Sequence, residues 1–497
     1  MQLNKIDFSS YKTILVAAVI IRFIAAIFSQ GYGMHDDHFL VIEASASWAN
    51  GYDYNHWLPW SPLSNGTPEG HSFTYVGINH LYFVLMKAIG IVDPKVLMLM
   101  NRLIHAAFSL LIVHFGFKIT QKLGSRELAV KVGWILALLW VLPFLSVRNL
   151  VEIVCIPFMM WGVWLVLNGD LKRRFFYAGI LLGVAVSIRY QVAVFALGMA
   201  LVFLFQKEVK GFLLFALGGI LIFSLTQGLV DFLIWGYPFA EFLGYALYNV
   251  NEGTEYIPND NYFMYILVLM GSVLFPLGLL LGIGFFRSGK KYVILFFPVI
   301  CFIIFHSLYP SKQERFILPV LPFFILLGVL GYQLIKQTDF WVKFWNGSWK
   351  AFWIINIPLL LFASFTYSKK SRVEAMYYFY PINTQKMRIL HEATGESDPS
   401  LLPKFYSGNW TLSGVARGDK NLPPLVHPGY AYDYILFCGE QDLAARIDEY
   451  RLIYPEIHLV YICEPSFVDA FLRWLNPRNS NEYIEIWKTN VNRDEIE

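Results

Sequence analysis

Hydrophobic residues gather in long runs along the first three quarters of the chain. The runs are about 15 to 24 residues long and recur at roughly 13–29, 98–117, 132–148, 150–167, 175–188, 190–206, 211–234, 262–286, 292–307, 316–335 and 351–368. Most are long enough to cross about 30 Å of hydrocarbon at about 1.5 Å per residue. The pattern therefore predicts an α-helical polytopic membrane protein with about eleven transmembrane helices.

Two apolar regions do not read as simple membrane crossings. The run 175–188 is short, and Arg189 separates it from 190–206, which predicts a broken or half-crossing pair. The segment 74–92 is also apolar, but counting it as a crossing would move the basic tract 118–131 to the acidic side. We therefore predict an interfacial helix there.

The polar connections orient the bundle. Basic tracts fall on alternate connections, at 118–131, 170–174, 206–210, 287–291 and 336–350. Residues 31–86 contain no Lys or Arg. By the positive-inside rule, the N-terminus is expected in the cytoplasm and a first loop, 31–97, outside.

The composition changes near residue 368, which predicts a transmembrane module over 1–368 and a soluble outer domain over 369–497. Apolar segments at 432–438, 457–463 and 483–488 alternate with helical stretches, a pattern typical of a small parallel α/β sheet. Cys438 and Cys463 each end one of these segments. Two buried thiols are favoured over a disulfide, which stays an alternative.

Composition agrees with a membrane protein. The chain is 56% hydrophobic and 15% charged, with a mean hydropathy of +0.49, whereas soluble domains carry about 25% charged residues. The net charge of +3 predicts no nucleic-acid partner. The four cysteines show no CxxC spacing, which argues against a zinc or thioredoxin motif.

The stretch GYGMHDDHF, residues 31–39, follows the first apolar run. It places Asp36 and Asp37 between His35 and His38, on the predicted outer side. Such aspartates often only cap a helix. Further charges predicted on the same side raise the alternative, a general base.

Two other segments supply those charges. Arg189 lies between apolar runs, where an arginine is either functional or snorkels to the interface. The segment 306–319, HSLYPSKQERFILP, places Lys312 and Arg315 on the predicted outer side. These two cations suit a phosphate; alternatively, Glu314 neutralises one of them in an ion-paired turn.

An outer carboxylate together with outer cations suits transfer from a lipid-phosphate donor. The cations would stabilise the departing phosphate, and the carboxylate would accept a proton from the incoming hydroxyl. A glycosidase needs a second carboxyl group to protonate its leaving oxygen. A phosphate leaves as a stable anion, so one base suffices.

These residues resemble motifs of the GT-C superfamily of integral-membrane glycosyltransferases, within it the α-mannosyltransferase family of the third GPI mannosyltransferase and the dolichol-linked oligosaccharide mannosyltransferases. Residues 34–39 are similar to its His-Pro-Asp-Glu-like motif, 189–191 to an Arg-Phe-Gln-like segment and 310–316 to a Pro-His-Lys-Glu-Glu-Arg-Phe-like segment. The likeness spans roughly 13–335. His35 stands where the family has proline, and Ser311 where it has histidine.

The resemblance implies a GT-C fold and an inverting transfer from a polyprenyl-phosphate mannose to a glycolipid or glycan acceptor, among membrane lipids. Asp36 would be the base and Asp37 would tune its pKa. Lys312, Arg315 and Arg189 would hold the donor phosphate. His38, Glu43 and Glu314 would contact the sugar or acceptor.

The resemblance also implies no cofactor, because this family looks metal-independent. The two histidines beside two aspartates leave a divalent metal as an alternative. A bacterial inner membrane is favoured, with the endoplasmic reticulum expected for a eukaryotic source.

Two rival functions stay open. A transporter or flippase of a lipid-linked saccharide would also place charges within the membrane, but the sequence shows none of the inverted repeats that transporters often have. A GT-C relative that moves another group, such as an aminosugar or arabinose, would differ only in substrate.

Overall fold

The computed structural model describes residues 7–169, 173–251, 258–382, 387–393, 402–410, 413–416, 432–477, 479 and 481–490. Helices dominate the first three quarters of the chain. The first nine are α1 Tyr11–Phe28, α2 His35–His38, α3 Ala44–Ala49, α4 Phe73–Ala88, α5 Pro94–Leu123, α6 Arg126–Leu138, α7 Val141–Leu145, α8 Val151–Val154 and α9 Ile156–Leu167.

The remaining helices of this part follow short breaks. They are α10 Arg174–Ile188, α11 Val192–Phe205, α12 Val209–Phe223, α13 Leu229–Trp235, α14 Ala240–Asn251, α15 Met264–Ser272, α16 Leu277–Ser288, α17 Val293–Leu308, α18 Leu321–Tyr332, α19 Asp339–Ser364 and α20 Lys370–Tyr378. A short π-helix, Phe39–Glu43, joins α2 to α3, and another, Ser224–Gly228, joins α12 to α13. A 3-10 turn, Glu314–Val320, leads into α18.

Among the described residues, four helices are long and apolar enough to cross a membrane: α1, α5, the segment Val209–Trp235 and the segment Glu314–Tyr332. The pair α16 and α17, bent by 116°, would make a fifth if it forms one span. The count of eleven is therefore not confirmed. Several predicted runs are interrupted: 132–148 breaks between α6 and α7, and 150–167 between α8 and α9.

The predicted break at Arg189 is present. Helix α10 ends at Ile188 and α11 begins at Val192. Arg189 between them has an extended backbone, with φ −144° and ψ 105°. The apolar stretch 74–92 forms one helix, α4, of 16 residues; its place at the interface stays a prediction.

The chain divides into two compact units. The first comprises Met1–Ile27, His56–Ile78 and Asn101–Phe365, and the second comprises Phe28–Asn55, Asn79–Met100 and Thr366–Glu497. In the first unit, α18 is almost wholly buried and packs on α16. A Cβ on Gly284 would meet the Gly328 carbonyl oxygen at 2.0 Å, so glycine permits this close approach.

The second unit contains the C-terminal sheet, with strands β1 Arg388–Ala393, β2 Ser413–Ala416, β3 Tyr434–Cys438, β4 His458–Cys463 and β5 Ile484–Lys488, and helices α21 Leu443–Ile453 and α22 Phe467–Leu475. The strand order is β2-β1-β3-β5-β4. Strands β1, β2 and β3 pair in parallel, but β5 pairs antiparallel with both β3 and β4.

The prediction of a parallel sheet over 432–488 is therefore wrong. The crossover from β3 through α21 to β4 leaves a gap one strand wide, and β5 enters that gap from the opposite end. The alternation of strands and helices predicts correctly that β3 and β4 run in the same direction, since both are antiparallel to β5. It does not predict that the third segment, β5, returns between them in the opposite direction.

This strand order also bears on the proposed disulfide. Cys438 on β3 and Cys463 on β4 both pair in register with Ile484 of the intervening β5. Two interstrand spacings put their Cα atoms about 10 Å apart, whereas a disulfide needs roughly 4.4–6.8 Å. The two thiols are buried, and this sheet geometry excludes a bond between them.

Candidate active site

In the first unit, the break between α10 and α11 presents an arginine to the interior. The Arg189 amide still bonds the Ala185 carbonyl at 3.0 Å, and the Val192 amide bonds the Arg189 carbonyl at 3.0 Å. The turn therefore ends one helix and starts the next within three residues. Arg189 itself is only 6% exposed.

Two arginines converge on one carboxylate there. Arg189 Nη1 donates to Glu152 Oε1 at 2.6 Å, and Arg315 Nη1 lies 3.7 Å from the same oxygen. All three side chains are buried. The ring of Phe316 lies under both guanidinium groups, 5.2 Å from Arg189 and 5.3 Å from Arg315.

Much of the hydrogen-bonding capacity in this cluster is unused. Within the part of the chain that the structure describes, Arg189 Nε and Nη2 and Glu152 Oε2 are buried without a partner. Tyr265 Oη and His306 Nε2, on helices that pack against the 3-10 turn, are also buried without one. Buried polar groups in native proteins nearly always have partners, so such a concentration indicates a place for a ligand.

The other residues of segment 306–319 are placed differently. Lys312 is buried, donates to the Asn259 carbonyl and lies 5.5 Å from the centroid of the Tyr262 ring. Glu314 is exposed. Arg315 contacts the carboxylate of Glu152, from a distant part of the sequence, and no contact with the neighbouring Glu314 is found among the described residues.

Sequence reasoning missed Glu152. It lies in α8, at the start of the apolar run 150–167. An acidic residue in such a run is itself a signal, because an intramembrane charge is expensive and needs a partner. His306 and Tyr265 carried a weaker signal, because each lies near an end of its apolar run, where polar and aromatic side chains are common at a membrane interface.

In the second unit, the stretch 31–39 gives its two aspartates different surroundings. Asp37 is buried and accepts hydrogen bonds from two backbone amides, of Gly33 at 3.0 Å and Met34 at 3.1 Å. It therefore closes the turn that begins α2. Asp36 is half-buried, so its carboxyl group is the more accessible of the two.

His38 and Glu43 form a buried pair. His38 Nε2 lies 3.0 Å from Glu43 Oε1, and because a carboxylate only accepts, Nε2 is the donor. The imidazole stacks on Tyr32 at 4.9 Å and on Tyr406 at 5.6 Å. The Phe405 amide donates to both oxygens of Glu43, at 3.0 and 3.1 Å.

A lysine that the sequence reasoning did not single out lies beside this pair. Lys404 lies 5.7 Å from the centroid of the Tyr54 ring. Burial lowers the pKa of Lys404, and the charge of Glu43 opposes that shift. The signal available in the sequence was weak: a basic residue before the aromatic pair Phe405 and Tyr406.

The sequence-predicted residues therefore form two sets. In the first unit, Arg189 and Arg315 meet at Glu152. In the second unit, His38 and Glu43 pair with each other, and Asp37 accepts from backbone amides of its own turn. Across the described ranges, no three His, Cys, Asp or Glu side chains are grouped so that they could hold a metal ion. His35 instead stacks on Phe39, with ring centroids 4.7 Å apart.

Comparisons with known proteins identify the family and the fold. The family model described as the Alg9-like mannosyltransferase family matches residues 13–398. No curated protein matches the chain.

Among solved structures, the chain is similar to ArnT from Cupriavidus metallidurans bound to undecaprenyl phosphate, with a TM-score of 0.59 and 11% identity over 96% of this chain and 98% of that one. The apo state of that protein gives the same values. The apo oligosaccharyltransferase of Archaeoglobus fulgidus gives a TM-score of 0.50 and 12% identity over 76% of this chain and 62% of that one. At such identities the likeness concerns the fold alone.

Proposed function

The chain belongs to the Alg9-like mannosyltransferase family, and from this premise we propose that it transfers mannose from a polyprenyl-phosphate mannose to a lipid-linked or cell-surface glycan. It is a glycosyltransferase with a GT-C fold and an integral, multi-pass membrane protein. The donor, the sugar and the acceptor are the parts that we propose.

The buried arginine pair is the observation that carries the choice of donor. Arg189 and Arg315 share the Glu152 carboxylate, and Nε and Nη2 of Arg189 are buried without a hydrogen-bond partner among the described residues. Buried donors are costly to leave unpaired, so a ligand that supplies acceptors would complete them. A phosphate fits, because planar guanidinium groups bind its oxygens as a fork. The family relation adds mannose, and ArnT, a protein of the same fold, has been solved with undecaprenyl phosphate bound.

Asp36 is our proposed base. An acceptor hydroxyl attacks the anomeric carbon, a new carbon–oxygen bond forms there, and the bond from that carbon to the phosphate oxygen breaks. The hydroxyl proton passes to Asp36, and the polyprenyl phosphate leaves with the electron pair. Asp36 suits this role better than Asp37, whose two oxygens already accept backbone amides.

His38, Glu43 and Glu314 were predicted to contact the sugar or the acceptor. His38 and Glu43 pair with each other, and Glu43 also accepts from the Phe405 amide. We therefore propose that they stabilise the segment that follows Asp36 in the chain. Glu314, which is exposed, keeps its proposed acceptor role. Lys312 keeps its proposed electrostatic role at the phosphate.

The test is a transfer assay with purified protein in detergent. The donor is synthetic polyprenyl-phosphate mannose with a labelled sugar, and a membrane-lipid extract supplies the acceptor. We expect label to move to a new lipid with wild type and with Asp448→Asn, an exposed carboxylate on α21 paired with Arg451, but not with Asp36→Asn. Near-normal turnover by Asp36→Asn would refute the base assignment. Transfer from another polyprenyl-linked sugar, but none from mannose, would refute the choice of sugar.

We further propose that the N-terminus is cytoplasmic and the C-terminal residues lie outside, as the basic connections indicate. A membrane-impermeant thiol reagent tests this on a single cysteine introduced at exposed Glu449 in a cysteine-free background. Labelling of intact cells or right-side-out vesicles is expected. Labelling that requires permeabilised membranes would reverse the orientation.

A further inference from the structure

The carboxylate shared by the two arginines carries an inference that rests on the proposed function. Glu152 is fully buried, at 0% exposure, and its Oε1 lies 2.6 Å from Arg189 Nη1 and 3.7 Å from Arg315 Nη1. Two guanidinium groups repel each other strongly in the interior. The Glu152 carboxylate, placed between the two groups, offsets this repulsion when no ligand is bound.

Arg189 and Glu152 use only part of their hydrogen-bonding capacity in this arrangement. Among the described residues, Nε and Nη2 of Arg189 and the second oxygen of Glu152 are buried with no hydrogen-bond partner. A structural ion pair is normally completed by further hydrogen bonds on both members. Glu152 therefore holds the arginines while leaving two nitrogen donors of Arg189, Nε and Nη2, available to another acceptor.

An aromatic ring also restricts the two guanidinium groups. Both groups lie over the ring of Phe316, at 5.2 and 5.3 Å. Because stacking on a ring and pairing with a carboxylate both restrict a guanidinium group, little reorganisation is needed when an anion arrives.

We propose that Glu152 is the resident counter-ion of the donor-phosphate site and limits how tightly that site holds a polyprenyl phosphate. Its negative charge lies beside the same guanidinium groups that bind the phosphate, so it competes with the phosphate for them. The competition weakens binding of the donor and of the leaving lipid phosphate alike. Its benefit is release: the product is also a phosphate, and a site without the competing carboxylate would retain it.

This role makes Glu152 a positioning residue that acts through the arginines, and it predicts the direction of an affinity change. Glu152→Gln keeps an oxygen that can accept from Arg189 Nη1 but removes the charge. We expect the dissociation constant for undecaprenyl phosphate, measured in detergent by titration, to fall roughly tenfold. In turnover, KM for the donor falls and kcat falls with it, because product leaves more slowly.

A purely structural Glu152 gives the opposite result. If the carboxylate only holds the arginines in place, Glu152→Gln weakens phosphate binding and raises KM, and either a higher or an unchanged dissociation constant overturns the proposal. Glu152→Asp, which keeps the charge but withdraws it from the arginines, is expected to bind with intermediate affinity. Wild type binding more tightly than Glu152→Asp overturns the proposal even if the glutamine variant does not fold.

The controls separate this inference from the proposed function. Glu127→Gln changes an exposed carboxylate paired with Lys131 at 2.8 Å and is expected to leave affinity unchanged. Undecaprenol, which lacks the phosphate, is titrated in parallel. If wild type binds the alcohol as well as the phosphate, the proposed phosphate site is wrong. If wild type prefers the phosphate but Glu152→Gln shows no gain, only the role of Glu152 is wrong.

Discussion

The charges of the first unit and those of the second are partnered in different ways. Around Arg189, three buried charged groups share a few contacts, and part of their hydrogen-bonding capacity is unused. Around Glu43, the carboxylate oxygens are occupied by His38 and by the Phe405 amide. Both clusters are buried, yet among the described residues it is the atoms of the Arg189 cluster, and not those of Glu43 and His38, that are left without hydrogen-bond partners.

The difference shows that burial alone does not identify a functional charge. A buried carboxylate whose oxygens all have hydrogen-bond partners stabilises the fold. A buried ion pair whose donors and acceptors lack partners is suited to bind a ligand. Two neighbours in the sequence differ in exposure: Asp37 is buried and accepts from two backbone amides, and Asp36, one residue earlier, is half-buried.

The largest expected effect tests this separation within one turn. Asp36→Asn is expected to lower transfer by roughly 10²–10⁴-fold, the usual contribution of a general base, with little change in thermal unfolding. Asp37→Asn is expected to lower the free energy of unfolding by about 1–3 kcal/mol, because one backbone amide loses a charged acceptor. Labelled-sugar transfer and thermal unfolding of both variants give the answer. Equal loss of activity at unchanged stability would erase the distinction.

Next in size is the engaged carboxylate of the second unit. Glu43→Ala leaves both the Phe405 amide and His38 Nε2 without an acceptor, and we expect a loss of about 1–3 kcal/mol in the free energy of unfolding. Glu314→Ala, at an exposed position, is the matched control and should stay within about 0.5 kcal/mol of wild type. A stable Glu43→Ala protein with no activity would instead give Glu43 a direct part in the reaction.

The arginine cluster is tested by a change that preserves charge. Arg189→Lys keeps the positive charge but loses the planar fork, so KM for the donor should rise roughly tenfold while kcat changes less. Arg451→Lys, on the exposed face of α21, serves as the control. If Arg189→Lys behaved as wild type, a point charge would suffice and the fork would be unnecessary.

The smallest effect comes from a carboxylate with only neutral donors. Glu241 accepts from the amides of Gly70 and His71, at 2.8 and 2.9 Å, and from Trp235 Nε1 at 2.9 Å. Burial raises its pKa from 4.5 to about 7. The stability that this group contributes is present in full below its unfolded-state pKa and is lost as pH rises through the folded-state pKa.

The melting temperature of wild type should therefore fall relative to that of Glu241→Gln between about pH 4.5 and pH 7, by roughly 2–4 °C. Parallel thermal melts of the two proteins across that range make the measurement. Melting curves that stay parallel throughout would mean that the three N–H donors compensate for the burial of Glu241.

The sequence predicted much of the arrangement around Arg189. Apolar runs located the helices, and a lone arginine between two runs located the break from α10 to α11. It did not reveal Glu152, because the pairing of 152 with 189 and 315 depends on how helices pack and not on local pattern. In the same way, the antiparallel direction of β5 depends on the path of the chain after α22. Local composition reports that a strand exists but not which way it runs.

The bond from the Phe405 amide to Glu43 joins positions 362 residues apart in the chain. A ribosome that adds about 5–20 residues per second needs roughly 20–70 s to make the intervening chain. During synthesis, Glu43 therefore relies on partners close in the sequence, such as His38, until the segment around Phe405 emerges. The turn that carries Asp36 lies only a few residues away, so a nascent chain that stops short of Phe405 lacks the contact that closes this part of the enzyme. The complete set of Glu43 contacts thus forms only after the chain has been made beyond Phe405, and a product truncated before that residue would lack the backbone donor to Glu43.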